Sequence, residues 1–238
     1  MARILEVDVG ENMKTCIVAF VKTPGLSELK TRLALSSSRA LADLFYEKSL
    51  AAIDQWLALQ NTSFKAEVFW AVAEDPCMVA SNWRSHRIIP QGSGGLGERM
   101  ARVYSQLNQG GQNLVILIGA DAPQLSPQLV DQTRDAIAKQ ADLVIGPARD
   151  GGFYWFASRL SIWSSTWTAV QYSSPTTLRD LLATPQLKKL SVHFLPELTD
   201  VDEYGDLRDV AVELRRLGES KTLSQSKLLQ WIDSLDAK

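Results

Sequence analysis

The sequence predicts an α/β fold, a three-layer α/β/α sandwich built on a mostly parallel mixed sheet. Short apolar runs alternate with amphipathic stretches at helical spacing, which is the pattern of strands joined by crossover helices. Several of the runs are apolar throughout, as strands covered on both faces should be. No internal repeat, low-complexity stretch or Pro/Gly/Ser linker divides the 238 residues. Residues 1–238 are therefore expected to form one unit, large enough to bury a sizeable core.

The strands are expected at Thr15 to Val21 (TCIVAFV), Glu67 to Val72, Arg87 to Pro90, Leu114 to Ile118, Asp142 to Ile145, Phe153 to Phe156 and Leu190 to Phe194. Between the first two, Leu41, Leu44, Phe45, Ala52, Trp56 and Leu59 recur at mostly helical spacing after the serines Ser36 to Ser38, which suit a helix start. That predicts a helix of about five or six turns. Ser126 followed by Pro127 has the form of an N-cap and first helical residue, opening a helix through Ala138. Further helices are expected from about Gly97 to Leu107, Glu203 to Leu217 and Ser224 to Leu235.

Composition narrows the function classes. With 25 basic and 27 acidic side chains, a formal net charge of -2, the chain lacks the basic excess that drives binding to nucleic acid or an anionic membrane. No apolar run approaches the length needed to cross a bilayer. The amino terminus MARILEVDVGENMK carries acids where a signal peptide would be basic and then apolar, so a cytoplasmic location is expected. Two cysteines, Cys16 and Cys77, have no CxxC spacing, and two histidines, His86 and His193, are far apart. Chemistry is left to carboxylates, lysine, arginine and backbone amides.

In such sheets ligands gather at the carboxyl ends of the strands. After the first strand, Lys22-Thr23-Pro24-Gly25 and Lys30-Thr31-Arg32 place three cations and a glycine in one loop before a helix, a composition able to hold a diphosphate; a solvated turn has the same letters. The order GxxxxGK[ST] is absent. Gly92-Ser93-Gly94-Gly95-Leu96-Gly97-Glu98-Arg99 spells GxGxxG, but it follows the third strand, not the first, and Pro90 and Gln91 intervene, so a dinucleotide fingerprint is set aside. A glycine loop still lets a ring or phosphate approach the backbone.

Asp121, delivered through Gly119 and Ala120 by a central strand, is placed to hold a hard cation such as Mg2+ or Mn2+, or to cap the next helix. Asp150-Gly151-Gly152 suggests a substrate pressed against backbone, or a tight hairpin. Asp200 and Asp202 flank Val201, and alternate residues of an extended segment point to opposite sides, so at most one of them is expected to meet a metal held by Asp121. Asp202 has capping of the following helix as its competing role. Of the aromatic residues, Trp155, Trp163 and Trp167 among them, most are expected in the core and none is assigned a functional role.

Taken in order, KTPG, KTRLA, GGLGERM, IGADAPQLS, DLVIGPARDGGFYWFA and VQYSSPTTL resemble a bacterial family of glycosyltransferase-like proteins related to arsenosugar biosynthesis, formerly a domain of unknown function. The resemblance covers about residues 14–210. It implies the GT-A fold of nucleotide-diphospho-sugar transferases, more distantly similar to nucleotidyltransferases of cofactor synthesis. It implies that Lys22, Gly25, Lys30 and Arg32 face nucleotide phosphates and that Gly95, Leu96, Gly97 and Arg99 lie near the nucleotide. Asp121 matches the cation-binding position, although the usual DxD is here Ala-Asp-Ala; Asp202 matches the carboxyl-end acid of the nucleotidyltransferases and becomes the second metal ligand. Gly151, Gly152, Ser174 and Thr176 fall on the acceptor side, with Asp150 positioning the acceptor or acting as general base. The residues before Lys14 form an added segment, and Leu26-Ser27-Glu28 is insertion-like.

The expectation is a metal-dependent transferase moving a sugar from a nucleotide-diphosphate donor to a small acceptor, with Asp121 and Asp150 catalytic. The alternatives are a nucleotidyltransferase that passes a nucleoside monophosphate from a triphosphate to a phosphorylated small molecule, and a non-catalytic nucleotide-binding protein.

Overall fold

A computed structural model describes residues 14–27 and 29–235. The segment expected to be added before Lys14, and Glu28 of the insertion-like stretch, lie outside the described residues. The chain runs β1 (Thr15–Val21), α1 (Thr31–Ser36), α2 (Arg39–Phe64), β2 (Glu67–Val72), α3 (Pro76–Val79), β3 (Arg87–Pro90), α4 (Leu96–Asn108), β4 (Leu114–Gly119), α5 (Leu129–Ala138), β5 (Leu143–Pro147), β6 (Phe153–Ser158), α6 (Ser164–Thr168), α7 (Thr177–Leu182), β7 (Val192–Phe194), α8 (Asp206–Arg216) and α9 (Leu223–Leu235). Among the described residues, seven strands form one sheet in the order β3-β2-β1-β4-β6-β5-β7. β6 alone runs against its neighbours, antiparallel to both β4 and β5, while β1 is parallel to β2 and β4. The mostly parallel mixed sheet expected from the sequence is the one observed.

The apolar strands are those buried on both faces. Ile17, Ala19 and Val21 of β1 meet Tyr46, Ile53 and Trp56 of α2, with α5 beside them, whereas Cys16 and Val18 face Met100, Val103 and Tyr104 of α4 and Trp167 of α6. Trp56 and Trp155 meet edge to face at 5.9 Å across the first layer. Trp155 and Trp167 are buried, as expected of core rings, and Trp163 is exposed.

Helix α2 begins where the serines predicted it, with the Ser38 hydroxyl accepting from Leu41 N at 3.2 Å, but its 26 residues make it longer than expected. The excess follows from burial on two sides. Phe45 and Ala42 lie on the face turned from the sheet, where they pack with Leu33, Val210, Leu214, Leu228 and Ile232 in a separate core formed with α1, α8 and α9. Other boundaries moved for local reasons. Ser126 does not cap α5, which starts at Leu129: its carbonyl accepts the Trp56 indole N–H at 3.1 Å and its hydroxyl is engaged with Gln128. Helix α8 starts at Asp206 rather than Glu203, and Asp206 accepts from Asp202 N (2.9 Å) and Glu203 N (2.7 Å), so the acid that organises this turn is Asp206 and not Asp202. β7 keeps only three residues because Leu190 closes a turn of 3-10 helix over Leu187–Lys189.

With β1 feeding leftward to β2 and rightward neighbour β4 arriving later in the chain, the connections part between β1 and β4. A crevice at the carboxyl ends of these two strands is the consequence.

Candidate active-site cleft

That crevice is a cleft of about 590 Å3, reached by Lys22 just after β1 and Asp121 two residues past β4. A second hollow of about 660 Å3 lies at the opposite ends of β1 to β3. Its charges there neutralise one another, Glu67 bonding Lys14 and Arg87 at 2.9 Å each, and we place the site in the cleft where unlike groups converge.

Lys30 is the centre of the cleft's charge. It precedes α1 in a left-handed conformation (φ 46°), a strained state for a lysine that persists only where contacts fix it. Its buried ammonium lies 3.0 Å from Asp121 Oδ1, 3.0 Å from Asp200 Oδ1 and 2.7 Å from the Val201 carbonyl oxygen. All three ammonium donors are thereby used. Burial alone would weaken its hold on the proton, but Asp121 and Asp200 outweigh burial and keep it protonated above the usual lysine range. The expectation that Lys30 faces phosphate is corrected: its protons are spent on two carboxylates and a carbonyl. Arg32 stands at the rim and pairs with Asp202 at 2.6 Å.

Carboxylate oxygens of Asp150, Asp200 and Asp202 all lie within 4.8 Å of one another. The argument from alternation, which sent Asp200 and Asp202 to opposite sides, fails because residues 199–202 are irregular rather than strand. Both side chains join Asp150. Burial, then the neighbouring Asp121, pushes the Asp200 carboxyl up to about 7 against the pull of Lys30. Asp202 is also raised, first by burial.

The first loop is organised from below. The Tyr46 hydroxyl accepts from Lys22 N and donates to Lys22 O, each at 3.0 Å. Glu74, two residues past β2, accepts from Thr23 N (3.0 and 3.1 Å), the Thr23 hydroxyl (2.8 Å) and the Ser27 hydroxyl (2.7 Å). Burial would raise the Glu74 carboxyl, but the Ser27 and Thr23 donors outweigh it and the net direction is down. The amides of Lys22 and Thr23 are thus engaged within the protein. Gly25 (φ 82°) turns the chain in open space outside the cleft lining, and of this loop Lys22, Leu29 and Lys30 reach the cleft.

The glycine loop is held by its own arginines. Gln91 donates to the carbonyls of Val21 (3.1 Å) and Ala71 (2.8 Å) and accepts from Arg99 (3.3 Å), whose Nε donates to Gly94 O at 2.9 Å. Leu96 and Arg99 line the cleft and Gly95 does not. Gly97 is corrected more sharply: a Cβ there would lie 2.5 Å from Trp167 O and 2.8 Å from Tyr172 Cε2, so its face is filled by the protein and the glycine serves close packing of α4 on α6.

Asp150 to Gly152 form the hairpin turn between β5 and β6, with Gly151 N bonded to Ala148 O at 3.1 Å. Asp150 accepts from Gly152 N at 2.8 Å and still faces the cleft. What presses on Gly151 (φ 89°) is the Pro175 carbonyl, not a ligand. The Ser174 and Thr176 hydroxyls, expected on the acceptor side, are 3.1 Å apart, and Thr176 donates to Asp180 at 2.6 Å, bracing the start of α7; Tyr172, Ser173 and Thr177 line the cleft in their place. Gln91 and Tyr172 of the cleft lining, and Glu74 that holds the first loop, were missed by sequence reasoning, which weighed Asp200 only as an alternative to Asp202. For Asp200 the signal was present in its flanking of Val201; the other three depend on contacts across the fold.

The profile of the family described as "Uncharacterized protein conserved in bacteria (DUF2064)" matches residues 52–174. Among curated proteins nothing matches the sequence. Among solved structures, a "putative nucleotide-diphospho-sugar transferase" from Desulfovibrio desulfuricans G20 is similar with 25% identity and a TM-score of 0.76, covering 94% of this chain and 96% of that one. A cytidylyltransferase from Leptospira borgpetersenii serovar Hardjo-bovis (strain JB197) is similar at 14% identity and TM-score 0.56, with 94% and 96% covered. A 4-diphosphocytidyl-2C-methyl-D-erythritol synthase from Anaerococcus prevotii DSM 20548 follows at 11% and 0.51, with 85% and 99% covered. The fold is that of the nucleotide-diphospho-sugar transferases.

Proposed function

Because the chain belongs to the family of uncharacterized proteins conserved in bacteria (DUF2064), and carries this cleft, we propose that it is a transferase that moves a sugar from a nucleotide-diphosphate donor to a small acceptor. The observation that carries the reading is the convergence of Asp121, Asp150 and Asp200 on one cleft that also presents Lys22 and Arg99. The similarity to the Desulfovibrio protein over nearly the whole of both chains supports it.

Oxygens of three carboxylates within 4.8 Å form the all-oxygen donor set that hard divalent cations take. Asp150, Asp200 and Asp202 would hold Mg2+ or Mn2+, with Asp121 facing the same space across Lys30. When bound, such a cation supplies positive charge against the diphosphate of the leaving group. Lys22 and Arg99 bind phosphate oxygens from the other walls. Leu96, Met100 and Phe153 give the apolar surface for a base or sugar, and Tyr172, Ser173 and Thr177 orient the acceptor. The acids come from three separate segments, one after β4, the β5–β6 hairpin and one before α8, and this favours a second reading as a nucleotidyltransferase, since a single DxD segment is replaced by separated acids.

Thermal-shift titrations with nucleoside diphosphates, triphosphates and diphosphate sugars, with and without Mn2+, on wild type and Asp121→Ala, test both, because a ligand that binds only the folded form raises its melting temperature. We expect metal-dependent stabilisation by one nucleotide sugar, lost in the variant. Stabilisation by triphosphates alone would transfer the assignment to nucleotidyl transfer. No metal-dependent shift with any of them would overturn the site.

A further inference from the structure

Glu213, on α8, is a buried carboxylate (6% exposed) outside the cleft lining. Its Oε2 accepts from Gln124 Nε2 at 2.8 Å and from Thr199 N at 3.2 Å. Its Oε1 accepts from the Thr199 hydroxyl at 2.8 Å and lies 3.4 Å from Arg149 Nη2. Gln124 Nε2 also donates to Thr199 O at 2.7 Å, so the partners are joined to one another as well as to the carboxylate. Each partner stands beside a cleft acid in sequence. Gln124 follows Asp121 on the post-β4 segment, Arg149 precedes Asp150 in the hairpin, and Thr199 precedes Asp200.

The three acid-bearing segments come from distant parts of the chain, and none of the four acids lies within a strand or helix. Like charges within 4.8 Å repel, so irregular segments that carry them drift apart unless something fixes them. A buried anion bonded to all three segments is suited to that task, because each bond lost leaves it less compensated at a buried site. We propose that Glu213 is a positioning residue: it sets the spacing of Asp121, Asp150 and Asp200, and through that spacing the affinity of the cleft for a divalent cation. The proposal rests on the transferase reading with its cation.

The test is Mn2+ binding by the full chain, followed by electron paramagnetic resonance with the metal alone, on wild type, Glu213→Gln and Thr199→Val, each checked for folding by urea denaturation. Glutamine keeps the shape but turns one acceptor into a donor that faces donors; valine removes only the hydroxyl bond. We expect wild type to bind Mn2+, folded Glu213→Gln to bind at least tenfold more weakly, and Thr199→Val to fall between them. A folded Glu213→Gln that binds as wild type does, even with a lowered melting temperature, makes Glu213 merely structural and overturns the proposal. If Glu213→Gln does not fold, Thr199→Val decides: wild-type affinity overturns the proposal and a loss supports it. Wild type that binds no Mn2+ overturns the cation reading itself, and the proposal falls with it.

Discussion

Replacing Glu74 by methionine probes how the first loop is held. Thr23 is 1% exposed, and both its amide and its hydroxyl donate to the Glu74 carboxylate, the hydroxyl also accepting from Trp83 Nε1 at 3.0 Å. Water cannot replace the lost acceptor at so buried a residue. Bonds to a charged group contribute roughly 1.5–3 kcal/mol each, and relief from desolvating the carboxylate offsets part, so the loss at neutral pH is about 2–4 kcal/mol. For a chain of this size that is roughly 4–16 °C in melting temperature. The pH dependence has a definite sign. The folded carboxyl is held below its ordinary value of 4.5, so its stabilisation is fully present above that value and is lost as pH falls through the lowered one. Urea denaturation of wild type and Glu74→Met should therefore show a gap at neutral pH that closes in acid. A gap below about 0.5 kcal/mol at neutral pH, smaller than any single buried charged bond, would refute the reasoning. So would a gap that persists unchanged in acid.

Two further outcomes follow from the cleft. Lys30→Met leaves Asp121 and Asp200 facing each other without their shared ammonium, and should cost about 3–5 kcal/mol in EDTA by urea denaturation; added Mn2+ should restore the variant more than it stabilises wild type, and a variant as stable as wild type in EDTA would contradict the geometry. Gly97→Ala forces Trp167 and Tyr172 aside and should cost about 1–3 kcal/mol in thermal unfolding. Unchanged stability with lost nucleotide stabilisation would instead return Gly97 to the ligand side.

The strands were legible because burial on both faces leaves a run of apolar letters, and TCIVAFV and LVILIG are such runs. The second face of α2 was not. Phe45 looks like one more member of a single stripe until α8 and α9, supplied by the far end of the chain, give it a separate core. The hairpin reading of Asp150 to Gly152 holds, and the reading of a substrate pressed against its backbone does not, because the Pro175 carbonyl fills the face of Gly151 and Leu178 N of α7 bonds the Gly151 carbonyl, while the Asp150 side chain lines the cleft. Alternation misled at Asp200 and Asp202 because a period of two holds only while the backbone is extended. Gly97 misled because a glycine's letter does not say whose atoms come close; here they belong to Trp167, seventy residues on.

Charge misled in a more instructive way. Lys30 and Arg32 read as free cations awaiting phosphate, since sequence displays charges but not which are already matched. The fold commits both to carboxylates and leaves four acids, Asp121, Asp150, Asp200 and Asp202, against these two bases. The Asp200 carboxyl is raised to about 7 by its burial first and by the neighbouring Asp121 second. An anionic diphosphate brought alone to this corner would add repulsion to it, and attraction from Lys22 and Arg99 comes from other walls of the cleft. On the transferase reading, the site therefore favours a substrate that arrives with its counter-ion over one that arrives bare. On the same reading, the specificity of the corner lies less in its own cations than in an acidity that a bound cation would offset.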